Sequence, residues 1–87
     1  MPENQEPSSD RIALLGIIVE KRDAASVLND TLHGFAAHIV GRMGVPYPKR
    51  GISIISVIVD APNPVISALA GKLGMIDGVT VKTLYSK

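Results

Sequence analysis

The segment Gly51-Ile-Ser-Ile-Ile-Ser-Val-Ile-Val-Asp60 is apolar on both of its alternating faces. Ile52, Ile54 and Ile58 fall on one parity, Ile55, Val57 and Val59 on the other. The run is too short to span a bilayer and too β-branched to favour a helix, so it reads as a strand. A strand with water on one side alternates apolar with polar residues. This one therefore has to be central, with both faces covered. Arg11 to Glu20 repeats the pattern, with Ile12, Leu14 and Ile18 set against Ala13, Leu15, Ile17 and Val19. Gly16 within it marks a close approach or a bulge.

The remaining segments arrange themselves around these two strands. From Asp23 to His33 the period lengthens to that of a helix, through Val27, Leu28, Thr31, Leu32 and Phe35. Asp23 is the expected N-cap and Gly34 the expected left-handed stop. A period near two returns from Ala36 through Ala37, Ile39 and Met43, with His38 and Arg42 on the other parity. Gly41 and Gly44 predict that this second strand is bent or bulged. The loop Pro46-Tyr-Pro-Lys-Arg50 is short enough to make the next pairing antiparallel. After Asp60, Asn63 as N-cap and Pro64 at the first helical position predict a second helix. Ile66, Leu69, Ala70 and Leu73 form its apolar stripe and Gly74 its end. Val79 to Tyr85 reads as a half-buried last strand.

The pattern repeats internally. Leu15 to Glu20 matches Ile55 to Asp60, and Gly34 stands to Gly74 at the same spacing. Two βαβ halves predict an α+β fold, the ferredoxin-like βαββαβ sandwich: a four-stranded antiparallel sheet with two helices on one face. Strands one and three lie in the middle and are expected to run the same way, which would bring Glu20 and Asp60 together at one edge of the sheet. Residues 1–10 are polar, proline-containing and aperiodic, and are expected to form a disordered tail ahead of a single domain over 11–87.

Composition narrows the function. With 87 residues the core is marginal, and with 46% apolar residues but one Phe, two Tyr and no Trp it has to be aliphatic. The net charge of +1 provides no field for nucleic acid or an anionic membrane. No cysteine is present, which removes disulfides, thiolate metal sites and cysteine nucleophiles at once. Without a signal peptide or a long apolar segment, a cytoplasmic location is expected. Ser53, Ser56 and Ser67 have no histidine–acid partner evident, and Gly71-Lys-Leu-Gly74 follows no strand turn and is not a nucleotide cradle. The chain is therefore expected not to be an enzyme, and to carry no cofactor. His33 and His38, five apart across a helix end, do not make a helical metal pair, so no metal site is expected. Helices on one side leave the other face of two doubly apolar strands uncovered, and a second copy of the chain is its most economical cover, as a homodimer or homotetramer.

Five segments together carry a resemblance: Ile17-Ile-Val-Glu20, Gly41-Arg-Met-Gly-Val-Pro-Tyr47, Gly51-Ile-Ser-Ile-Ile-Ser56, Ile66-Ser-Ala-Leu-Ala-Gly-Lys-Leu-Gly74 and Gly78-Val-Thr-Val-Lys82. Over about residues 11 to 87 the chain resembles the family described as iron-only hydrogenase system regulators, small ACT-like proteins whose fold is similar to the C-terminal domain of the nickel-responsive repressor. The resemblance implies a regulatory role, transcription included, exercised through a small ligand or a partner protein. The alternative is an accessory subunit that only scaffolds other proteins. It also implies a ligand site between the first strand–helix loop of one chain and the second strand of another. Here that means Arg42, Met43 and Gly44, with Glu20 and Asp23 from the loop. Three features do not transfer. The loop Glu20-Lys-Arg-Asp-Ala-Ala25 lacks the glycine of amino-acid-binding ACT domains. The repressor's cysteine-containing nickel site and its DNA-binding ribbon are also missing.

Overall fold

The computed structural model describes residues 10–86. The elements are β1 (Asp10–Val19), α1 (Ala24–Gly34), β2 (Ile39–Tyr47), β3 (Ile52–Pro62), α2 (Asn63–Gly74) and β4 (Val79–Tyr85), with short 3-10 turns at Ala36–His38 and Pro48–Arg50. The expected tail falls outside the described residues except for Asp10, which already opens β1. The four strands form one sheet in the order β2-β3-β1-β4, so the two doubly apolar segments are its centre.

The central pair corrects one expectation. β1 and β3 run antiparallel, with Leu14 opposite Ile58, Gly16 opposite Ser56 and Ile18 opposite Ile54. The topology requires it: a crossover returns β2 parallel to β1, and the hairpin then reverses the chain into β3. Asp60 accordingly lies opposite Ile12, at the far end of β1 from Glu20. The two carboxylates are some 25 Å apart by strand rise and cannot act as a pair.

Parity decides what is buried. The odd residues of the centre, Ala13, Leu15, Ile17 and Val19 with Ile55, Val57, Val59 and Ala61, turn toward the helices and are sealed. Leu28 and Leu32 of α1 and Ile66, Leu69 and Leu73 of α2 close over them, each at most 1% exposed. Each such aliphatic side chain contributes about 1.5–3 kcal/mol by leaving water. No polar or charged residue is buried in this core.

Helix ends differ from the sequence reading. Asp23 precedes α1 but makes no side-chain cap bond. At α2 the capping position is Pro62, one residue before Asn63, and the Asn63 side chain instead accepts a hydrogen bond from Arg11 Nη1 (3.3 Å). Arg11 also lies 4.7 Å from the centre of the Tyr85 ring. A residue spoken for by a distant strand is not available to cap locally. Gly34 and Gly74 do end their helices, yet neither is left-handed; the positive φ angles belong to Gly51 (67°) and Gly78 (85°). Gly51 turns the chain out of the 3-10 turn into β3, its N–H donating to Pro48 O.

Candidate functional site

The second strand begins with a fault in its pairing. Ile39 sits opposite Val59 and Gly41 opposite Ile58, so Val40 is the extra residue of a bulge. The bulge anticipated from Gly41 and Gly44 is therefore present, and it changes the faces. Ile39 packs toward the core, and beyond the bulge it is Arg42 and Gly44, opposite Val57 and Ile55, that lie on the helix side. Met43, opposite Ser56, points to the other face and is 63% exposed. The expectation that Ile39 and Met43 share a parity fails at this one residue.

Neither helix covers β2 fully, and a groove runs between that edge strand and α1. Three adjoining cavities of about 290, 300 and 330 Å³ make it up. Its floor is apolar, from Val19, Leu28, Leu32 and Ile55. Arg42 stands in the middle, donating from Nη2 to Asn29 Oδ1 of α1 at 2.9 Å. That bond spans the groove and fixes the guanidinium, which has four further N–H donors. Its partner there is a neutral amide and not a carboxylate. Arg22 lines one end of the groove and His33 the other, and among the described residues no carboxylate lines any of the three cavities.

A larger cleft, about 610 Å³, opens on the opposite flank of α1, toward the end of α2. Asp23 belongs here, with Lys21, Lys72 and Asp77. Its charges are largely matched: Lys21 Nζ and Asp77 Oδ2 are bonded at 2.5 Å. The hydrogen bond and charge of Lys21 hold the Asp77 carboxyl below the usual carboxylate range, and Asp77 in turn raises Lys21. The cleft is larger than any one of the three cavities but not than the groove they make together, and unmatched charge also favours the groove.

The residues expected to meet between two chains lie apart within one chain. Arg42 and Gly44 share the groove, Met43 lies on the far side of the sheet, and Asp23 lines the larger cleft. Glu20 sits in the loop, where its N–H donates to Gly78 O at 2.7 Å. That bond occupies backbone which a ligand would otherwise approach. The lysine stem of Lys21 lies against Gly78 as well. Two groove residues escaped the sequence reading, Asn29 and Arg22. Arg22, Ala25, Asn29 and His33 recur at helical spacing, and that stripe was the available signal. Lys49 and Arg50 belong to the exposed 3-10 turn, away from the groove. Lys72 sits 5.7 Å from the centre of the Phe35 ring. Among the described residues no cluster of three or more His, Asp or Glu could hold a metal ion, and no helix is long and apolar enough to cross a membrane.

A βαββαβ chain with a four-stranded antiparallel sheet and both helices on one face is ferredoxin-like and ACT-like in fold. Comparison with solved structures agrees. The ACT domain of GTP pyrophosphokinase from Chlorobium tepidum superposes with a TM-score of 0.72 at 22% identity, covering 88% of this chain and 89% of that one. The C-terminal domain of the MgtC protein from Mycobacterium tuberculosis gives 0.70 at 11% identity, covering 94% of each. Both likenesses are of fold alone. The uncharacterized protein TM1266 from Thermotoga maritima is nearer: TM-score 0.86 and 38% identity, covering 90% of this chain and 99% of that one. The model of the TM1266-like family, described as "Iron-only hydrogenase system regulator, putative", matches residues 11–83. The chain belongs to that family. No curated protein matches it.

Proposed function

We propose that this chain is a non-catalytic, self-associating ACT-like regulatory domain of an iron-only hydrogenase system, and that the groove between α1 and β2 is where it reads a carboxylate- or phosphate-bearing ligand or partner group. The observation that carries this reading is Arg42. Its guanidinium is held over an apolar floor by Asn29 in a groove with no lining carboxylate. A fixed planar fork of donors suits a bidentate carboxylate or phosphate, and Gly44 beside it leaves backbone open to close approach. The family gives the regulatory setting.

The test is thermal shift against a panel of small carboxylates and phosphates. A ligand bound only by the native state stabilises it by about 2.7 kcal/mol at a hundred times its Kd. Arg42→Ala is expected to melt within a degree or two of the parent protein, since Arg42 is exposed and its one bond is to a surface amide. It should lose the ligand-induced shift. If Arg42→Ala keeps that shift, the groove is not the site. A second reading, an accessory subunit that only scaffolds, draws on the apolar face that the sheet leaves open. A panel producing no shift with the parent protein, while partner proteins still co-purify with it, decides for that reading.

A further inference from the structure

The sheet face turned away from the helices is largely apolar, with Ser56, Asp60, Thr80 and Lys82 among its aliphatic residues, and the pairing lays it out in rows across the strands. One row runs Gly41, Ile58, Leu14, Leu84. The next runs Met43, Ser56, Gly16, Lys82, and the third Val45, Ile54, Ile18, Thr80. Leu14, Ile54 and Ile58 stay about 40% exposed though they lie on the central strands, and Leu84 is 68% exposed. Four strands about 4.8 Å apart and some eight residues long present on the order of 500 Å² in flat projection. Side-chain relief brings that toward the roughly 800 Å² that each partner of a stable complex contributes. Scattered surface apolar residues need no partner, but a patch of this extent does.

We infer that a second copy of this chain covers this face, related by a twofold axis that lies along the strands between β1 and β3. This deepens the self-association in the proposed function and is independent of the ligand. The pattern selects the axis. Turned about a line parallel to the strands, β1 lies over β3 of the second copy and β4 over β2. Leu84, the most exposed residue of the face, then meets Gly41, which leaves room for it. Ile58 meets Leu14, and Ser56 meets Gly16. The alkyl stem of Lys82 lies along Met43 of the second copy while its ammonium reaches water at the rim. An axis across the strands would instead lay β4 on β4 and bring two Lys82 charges together. Two sheets stacked with their strands nearly aligned are an ordinary sandwich packing.

The chain has no cysteine, so the arrangement can be read by introduced ones. Light scattering at micromolar concentration should give twice the 9.2 kDa of one chain, or a multiple of that pair. A mixture of Met43→Cys and Lys82→Cys proteins, oxidised or bridged by a short bis-maleimide, should form mixed 43–82 links in excess of either homotypic link. Leu84→Lys, on an exposed edge position, should remain cooperatively folded by circular dichroism and weaken the dimer at least about tenfold, because a charge would lose water there. Predominant 43–43 and 82–82 links would overturn the axis. A monomeric parent protein, or one that associates only with lipid vesicles or another protein through this face, would overturn the second copy as its cover. A folded Leu84→Lys protein that dimerises as tightly as the parent places the contact elsewhere and overturns it too. None of these outcomes touches the shift lost by Arg42→Ala, so the ligand reading stands or falls separately.

Discussion

Gly78 is the residue with the least freedom to change. Its φ of 85° is one that side chains resist, and an added Cβ would lie 2.6 Å from Lys21 Cγ and 2.8 Å from Lys21 Cβ. Gly78→Ala is therefore expected to cost about 1–3 kcal/mol in urea denaturation. Lys21→Ala in the same chain removes the Cγ contact but keeps the Cβ at 2.8 Å, so it should recover only part of the steric cost, and the two changes will not add. The neighbouring pair sets a pH dependence. Asp77 is lowered by the hydrogen bond and charge of Lys21, so its contribution is present above the ordinary carboxylate pKa and is lost as pH falls through its own lower value. Lys21 is raised, so its contribution is present below the ordinary lysine pKa and is lost as pH rises through its own higher one. Their side chains are 55% and 86% exposed, and solvent screening keeps the effect small. Titration of the Asp77 carboxyl by NMR should give a value below that of a free aspartate, and Lys21→Met should return it to normal.

At the scale of elements, periodicity was enough to locate both helices and all four strands, because apolar spacing reports directly which residues leave water. It could not say which parity of β1 and β3 meets the helices, since Leu14 and Leu15 read alike in a doubly apolar run. The structure resolves this in favour of Leu15, which is fully buried, over Leu14, which is 40% exposed. Leu15→Ala should accordingly cost about 2–5 kcal/mol, and Leu14→Ala clearly less, by urea denaturation at the lowest workable protein concentration. Equal costs would mean that both faces are sealed within one chain. The helix caps were misread for a different reason. Asn63 next to Pro64 carries the local signature of a cap, but Arg11, fifty-two residues away, takes its side chain. Local chemistry has no means of reporting that competition.

For the whole molecule, internal repetition gave the architecture, while strand direction was misjudged because similar apolar runs look the same forward and backward. Only the order of crossover and hairpin fixes the direction. The candidate site was legible in part. Arg42 and Gly44 stood out by residue type, but their partner Asn29 comes from another element, and within one chain the loop residues Glu20 and Asp23 lie away from the groove. A site assembled between elements is a tertiary property, and a list of promising residues ordered along the chain does not contain it. What the chain does show at this scale is a division of labour between two surfaces, a basic groove above the sheet and an apolar plane below it.

That division hangs on a single residue of β2. Because side chains alternate, pairing Val40 with Ile58 instead of bulging it out would slide everything after it by one step, sending Arg42 outward and Met43 inward. Loss of the bulge at constant length is thus a switch of polarity: it would give the groove a thioether and the flat face a guanidinium, with no change in composition. Relatives that pair this strand without the bulge at the same length should differ in what they recognise and in how they assemble at the same time.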